Sequence, residues 1–227
     1  MNERRKRCVL VSGGLDSAVA LAEAAREGPV APVYIRSGLV WESAEMYWLA
    51  RFLQTIAAPR PVVLDMPVAD LYGAHWSLTG DDPPGADSPD DAVYLPGRNL
   101  LLLSKAGVWA AENGCGSIVL GPLAANPFPD GTRAFFDAMG EAIGLAMGLG
   151  GMLSIETPMS GLSKTEVVRR ATGLPLELTF SCLSPGPDHR HCGECNKCAE
   201  RRRGFAEAGV DDPTEYAYGS RSGAGST

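Results

Sequence analysis

The sequence predicts an α/β fold on a mostly parallel sheet, followed by a small metal-stapled helical module. Three observations carry this. Short apolar runs alternate with stretches of helical period as far as Thr172, the rhythm of βαβ units. A glycine turn in "VSGGLDSAVA" ends the first apolar run and opens the first helical one, at the strand end where such sheets bind ligands. After Thr172 the rhythm stops, and four of the six cysteines crowd into "SCLSPGPDHRHCGECNKC".

Each element follows from its pattern. "RCVLVSGG" reads as a buried strand ending in the turn. Asp16 to Arg26 is a helix, with Ala18, Leu21, Ala22 and Ala25 on one i, i+3, i+4, i+7 stripe. "PVAPVYI" is the second strand, and Ser43 to Ile56 the second helix, on Met46, Leu49, Ala50 and Leu53. "RPVVLDM" is the third strand. Residues 70–96 are polar and rich in proline and glycine; a loop this long in a compact domain is functional or disordered, and a lid over the substrate is expected. Asn99 to Glu112 returns to helix, "GSIVLG" to strand, Thr132 to Ala146 to helix and "GMLSIETP" to strand. Ser163 to Ala171 is the last helix of the series. Ser163 and Glu166 fit a capping box, with Lys164 in the first turn.

The chain has 227 residues, 45% of them apolar, enough for one sizeable core. A net charge of −7 and a pI near 5.0 suit a soluble protein and argue against a polynucleotide groove. No stretch approaches the ~18 apolar residues of a membrane span. The apolar run after "MNERRKR" is too short for a signal peptide, and Arg4, Arg5, Lys6 and Arg7 are expected as a solvated tail. The expected location is cytoplasmic, where clustered cysteines at short spacing bind metal rather than pair. Cys8 and Cys115 stand alone near strands and read as small buried apolar residues.

The turn Ser12-Gly13-Gly14-Leu15-Asp16-Ser17 has the parts of an anion cradle. Glycines let backbone approach a ligand closely. The N–H groups and dipole of the following helix favour negative charge. Ser12 and Ser17 add hydroxyl donors. Asp16 repels a bare phosphate but fits one carrying Mg²⁺. No lysine follows as a Walker A loop needs, and no G-x-G-x-x-G is present. The alternative is an ordinary Gly-Gly turn with Asp16 as a helix cap.

Cys182, Cys192, Cys195 and Cys198 make C-x9-C-x2-C-x2-C. Four thiolates form a closed tetrahedral set for structural zinc. The surrounding glycines and prolines supply little apolar core, so metal would supply folding energy. An iron–sulfur centre is the rival, but the proline-terminated fourth cysteine of bacterial ferredoxins is missing; free thiols or redox chemistry is a further alternative. His189 and His191 are expected in solvent-facing loop positions, and Arg201, Arg202 and Arg203 on a solvated helix face.

The turn resembles the SGGxDS signature of the PP-loop ATP pyrophosphatases, which cleave ATP to AMP and pyrophosphate while adenylating a substrate oxygen. The two ends of the chain together resemble one PP-loop family, the 7-cyano-7-deazaguanine synthases of queuosine biosynthesis. The matching residues are "SGGLDS", "YLPGRNLLLLS" (94–104), "PMSGLSKTEVVRRA" (158–171) and "TFSCLSPGPDHRHCGECNKCAERRRGFAEAGVDDPTEY" (179–216), in the family's order. Two segments depart from the family's pattern. After the second strand Leu39 and Trp41 replace polar positions. After the fourth, Phe128, Pro129 and Asp130 keep the Tyr-Pro-Asp positions, while Gly131 and Thr132 replace cysteine and arginine.

The resemblance implies a Rossmann-like PP-loop domain over residues 1–176, of the adenine nucleotide alpha hydrolase-like kind. It also implies a zinc-binding module over 177–216 and a flexible tail over 217–227. It implies conversion of 7-carboxy-7-deazaguanine and ammonia to 7-cyano-7-deazaguanine, with ATP going to AMP and pyrophosphate through adenylated acid and amide intermediates. ATP and Mg²⁺ would lie on Ser12, Gly13, Gly14, Leu15, Asp16 and Ser17, with Lys164, Arg98 and Asn99 at the phosphates and pocket. Asp16, Ser17 and Lys164 would carry catalysis, and Arg98 (whose fork suits a carboxylate) and Asp130 would meet the substrate. A homodimer is implied, and no membrane or nucleic-acid partner. The alternatives are a related AMP-forming ligase or amidase acting on another carboxylate or amide, a tRNA-thiolating enzyme, and a nucleotide-binding module without catalysis.

Overall fold

The structure is a computed structural model and describes residues 5–218. The strands are β1 (Arg7–Leu10), β2 (Val30–Arg36), β3 (Val62–Asp65), β4 (Ser117–Val119) and β5 (Ser154–Glu156). They form one sheet in the order β3-β2-β1-β4-β5, and every neighbouring pair is parallel. The helices are α1 (Leu15–Glu27), α2 (Glu42–Thr55), α3 (Ala69–Tyr72), α4 (Trp76–Thr79), α5 (Arg98–Glu112), α6 (Arg133–Ala146), α7 (Lys164–Arg170) and α8 (Asn196–Ala208). The alternation read from the sequence is present, with bounds shifted by a few residues.

β1 shows why both sheet faces are covered. Side chains alternate along a strand: Val9 and Val11 enter a core with Leu15, Leu49, Phe52 and Phe205 of α1, α2 and α8. Cys8 and Leu10 enter the opposite core with Leu103 of α5 and Phe136 of α6. Cys8 and Cys115 are buried there, as expected. The order runs outward from β1 both ways, so the topological switch point lies between β1 and β4. A crevice opens outside the strand ends at such a point.

Several parts differ from the expectation. The stretch 70–96 is not a bare loop. It holds α4, most of α3 and a 3-10 turn at Asp90–Val93, single turns too short to show a period. It is also tied to the cysteine module: Asn196 donates from its N–H to Pro84 O at 2.9 Å and from Nδ2 to Ser88 O at 2.7 Å. The expected basic tail stops short of Arg7, which opens β1 and pairs with Glu27 at 2.7 Å; Arg4 lies outside the described residues. Ala217 and Tyr218, expected in the tail, donate to the carbonyls of His191 and Cys192 at 2.7 and 2.9 Å. Residues 219–227 of that tail lie outside the described residues.

Two charged or polar positions are buried where solvent was expected. Arg201 is 3% exposed. Its guanidinium donates to Thr214 Oγ1, Thr179 Oγ1 and Leu176 O at 2.6, 2.9 and 2.8 Å, which makes burial tolerable. Arg203 is exposed and Arg202 half-buried, with Arg202 over the Tyr216 ring at 3.9 Å. His191 is buried against Phe180, and its Nε2 accepts the Ser181 N–H at 3.1 Å. Burial pushes its pKa well below the usual histidine value, so it acts as a neutral acceptor.

Candidate functional site

The turn after β1 is built by its own small side chains. Gly13 has φ +77°, and a Cβ there would meet the Glu45 carbonyl oxygen at 3.0 Å, so both conformation and space require glycine. Ser17 Oγ accepts the Ser12 N–H at 3.2 Å and donates to Gly14 O at 3.0 Å, closing the turn on itself. The Gly14 N–H reaches Ser12 Oγ at 3.3 Å. Gly14 caps α1 without a side-chain acceptor, so the helix presents its N-terminal donors to the crevice.

A cavity of about 370 Å³ lies over this turn, within the range of small-molecule sites. Ser12, Gly14, Leu15, Asp16 and Ser17 line it, and so do Lys164, Arg98 and Asn99 from distant segments. Gly13 sits behind them and accepts the Phe180 N–H at 2.7 Å. Lys164 Nζ bonds Asp16 Oδ2 at 2.6 Å, and the other oxygen, Oδ1, is buried with no partner. A buried carboxylate oxygen without a donor is costly and has the chemistry of a divalent-cation ligand.

Lys164 also meets Glu200 at 3.1 Å, and Glu200 meets Lys197 at 2.6 Å. Burial opposes the charge on Lys164, yet Asp16 and Glu200 outweigh it and hold its pKa above the usual lysine value. Burial likewise opposes the Glu200 carboxylate, and the two lysines reverse it to about 2. The four groups form two opposite pairs within the cavity wall.

A second acidic cluster, Glu42 and Glu45 of α2 beside Tyr34 of β2, carries no motif in the sequence. Glu45 is buried, lines the cavity, and accepts the Tyr34 hydroxyl at 2.6 Å. Burial pushes its pKa up to about 7, against the lowering effects of Tyr34 and Arg98. Glu42 accepts the N–H groups of Ser37 and Gly38 at 2.5 and 3.0 Å, fixing the end of β2. The only sequence signal was two acids flanking the apolar stripe of α2. Leu39 and Trp41 also line the cavity, and Trp41 stacks on Trp76 at 5.6 Å.

Asp130 takes a different place from the expected pocket acid. It is 7% exposed and is not among the cavity-lining residues. Its Oδ2 accepts the Asn99 N–H at 2.8 Å, and its carbonyl accepts Asn99 Nδ2 at 3.0 Å. It therefore caps the start of α5 next to Arg98, whose guanidinium makes no hydrogen bond or ion pair among the described residues and whose charge acts on Glu45.

The four sulfurs of Cys182, Cys192, Cys195 and Cys198 lie within 4.8 Å of one another, all buried. Two of the separations are 3.9 Å. A tetrahedron with ~2.3 Å zinc–sulfur bonds has edges of about 3.8 Å. Backbone N–H groups of Leu183, Cys192, Gly193, Glu194 and Cys195 point at the sulfurs, at 3.2 to 3.4 Å. Such donors suit thiolates. The cluster is compatible with structural zinc.

A glycine turn at the switch point of a parallel sheet, with a lysine–carboxylate pair in the same cavity, is the arrangement of a PP-loop α/β fold. The chain matches the family model described as "Queuosine biosynthesis protein QueC" over residues 6–209, and it belongs to that family of biosynthetic enzymes. Curated relatives named 7-cyano-7-deazaguanine synthase include one from Solidesulfovibrio magneticus, 34% identical over 93% of this chain and 96% of its own. Another, from Methanothermobacter thermautotrophicus, is 32% identical over 91% and 97%. A third, from Stutzerimonas stutzeri, is 34% identical over 95% and 100%. No helix among the described residues is long and apolar enough to cross a membrane.

Proposed function

We propose that the chain makes 7-cyano-7-deazaguanine from 7-carboxy-7-deazaguanine and ammonia, converting ATP to AMP and pyrophosphate. The observation that carries this is the convergence of the Ser12–Ser17 turn, Lys164 and the unpaired Arg98 on one cavity, in a chain of the synthase family. A carboxylate oxygen of the substrate attacks the α-phosphorus, and pyrophosphate leaves. Ammonia then forms the C–N bond as AMP departs, giving the amide. A second ATP adenylates the amide oxygen as pyrophosphate leaves, and loss of AMP and of both amide protons leaves the nitrile.

The chain's own groups have distinct parts in this scheme. The turn and the α1 N–H groups hold the phosphates where charge grows in the transition state, and Lys164 adds its charge there. Arg98, set by Asp130 through Asn99, orients the substrate carboxylate. Glu45, with a pKa of about 7, takes the proton from ammonium near neutral pH, as a general base should. Asp16 Oδ1 is the atom suited to Mg²⁺, which would shield the phosphate charge. Cys182, Cys192, Cys195 and Cys198 hold structural zinc. The division at residue 176 and a homodimer in a cytoplasmic setting belong to the same reading.

Incubation with Mg·ATP, an ammonium salt and 7-carboxy-7-deazaguanine tests it, with AMP, pyrophosphate and nitrile followed by mass. All three are expected, at two AMP per nitrile. AMP formed only with a different carboxylate or amide would replace this reading with the other ligase. No AMP from any such acid would leave a binding module.

A further inference from the structure

The helix that carries the last cysteine also reaches the nucleotide cavity. Glu200 and Lys197 of α8 line that cavity together with Asp16 and Lys164. Gly204, one turn beyond Glu200, makes the approach possible: a Cβ there would lie 2.6 Å from Lys164 Cγ. The Lys164 side chain thus lies flat against α8, with its ammonium between Asp16 Oδ2 at 2.6 Å and Glu200 Oε1 at 3.1 Å. Lysine has three N–H donors. Two carboxylate anchors leave the third for the cavity that Lys164 lines.

We propose that Glu200 is a positioning residue of the nucleotide site. With Asp16 it fixes the Lys164 ammonium, aims its third N–H at the bound phosphates, and keeps Asp16 Oδ1 open. Lys197 in turn holds the second oxygen of Glu200 at 2.6 Å, so the carboxylate cannot swing away with the lysine. Without Glu200, Lys164 would have a single anchor and would settle across both oxygens of Asp16, covering the atom now unpartnered. The inference rests on nucleotide binding in this cavity, as in the reading above.

The test is a double-mutant cycle on the zinc-loaded chain. The readout is calorimetric binding of the non-cleavable α,β-methylene analogue of ATP at fixed Mg²⁺. Glu200→Ala should weaken binding about tenfold, the scale of a lost charge-assisted bond. It should have no further effect in the Lys164→Ala background, because Glu200 acts through Lys164. Glu200→Gln, which keeps the acceptor, should recover part of the loss. Glu200→Leu repeats the cycle if the alanine variant loses zinc or melts early. Unchanged binding in the single variants, or additive losses in the double, would overturn the proposal. A wild-type chain that binds no nucleotide would defeat the reading above along with it. A chain that binds nucleotide and follows the cycle but makes no nitrile would defeat only the assigned substrate.

Discussion

At the scale of single residues the site holds opposing charges in the wall of one small cavity, and their titrations differ in sign. Glu45 is the instructive one. Its pKa rises from 4.5 to about 7 because burial penalises the carboxylate more than Tyr34 and Arg98 favour it. An acid whose folded value is raised contributes stability below the unfolded value and loses it as pH climbs through the folded one. The chain should therefore lose about 1–3 kcal/mol from this group between pH 4.5 and 8. Glu45→Gln keeps the acceptor for Tyr34 and cannot titrate. Urea unfolding of both proteins at the two pH values should show the variant gaining on the wild type as pH rises; parallel curves would refute it. In turnover, Glu45→Gln should keep pyrophosphate release from the first adenylation yet slow amide formation at pH 7 by about 10²-fold or more. Added ammonium at high pH, where free ammonia is abundant, should narrow the gap.

At the scale of elements, what could be read in the sequence was local, and what could not was long-range. The strand–turn–helix opening was legible because its signals are adjacent in the chain: an apolar run, two glycines, a helical stripe. The capping box at Ser163 was legible for the same reason, and both of its bonds are present, with Ser163 N–H to Glu166 at 2.7 Å. The cysteine set was legible from spacing alone. The burial of Arg201 and His191 is not legible, because nothing adjacent marks either side chain as buried; their partners at Thr179, Leu176, Thr214 and Ser181 come from other segments. Asp130 was read for its chemistry, but its carboxylate serves the first turn of α5. Removing a helix-capping acceptor costs roughly 0.5–2 kcal/mol, so Asp130→Ala should lower stability by that much in chemical unfolding. It should also raise KM for the acid substrate more than it lowers kcat, because Arg98 loses its aim. An unchanged KM would mean that α5 holds its start by packing alone. The turn itself offers a sharper case. Gly13→Ala must adopt φ +77° against the Glu45 carbonyl, a strain of about 1–3 kcal/mol, and nucleotide binding should fall with it.

At the scale of the whole molecule, the segment that carries the four cysteines meets the sheet at the Ser12–Ser17 turn itself. Phe180, two residues before the first cysteine, donates its N–H to Gly13 O of the turn at 2.7 Å. Its ring belongs to a core shared by Leu39, Trp41, Leu95 and all four clustered cysteines. Stretch 70–96 is strapped to the same segment through Asn196. The apolar residues of this core, Leu39, Trp41, Leu95 and Phe180 among them, give the cysteines more packing than the surrounding glycines and prolines suggest, but with metal absent four buried thiols would crowd at its centre with no ion to tie their segments together. Metal binding at such a site is folding free energy. Stripping zinc with a strong chelator should therefore lower the melting temperature of the whole chain in one cooperative step, and nucleotide binding should be lost in proportion to the metal removed. Readdition of zinc should restore both together. A module that merely sits alongside would behave differently: calorimetry would show two transitions, and the chelated chain would bind Mg·ATP analogue with wild-type affinity. The short distances from α8 to Lys164 and from Phe180 to Gly13 favour the single transition, because neither contact survives if the module unfolds and the sheet domain does not.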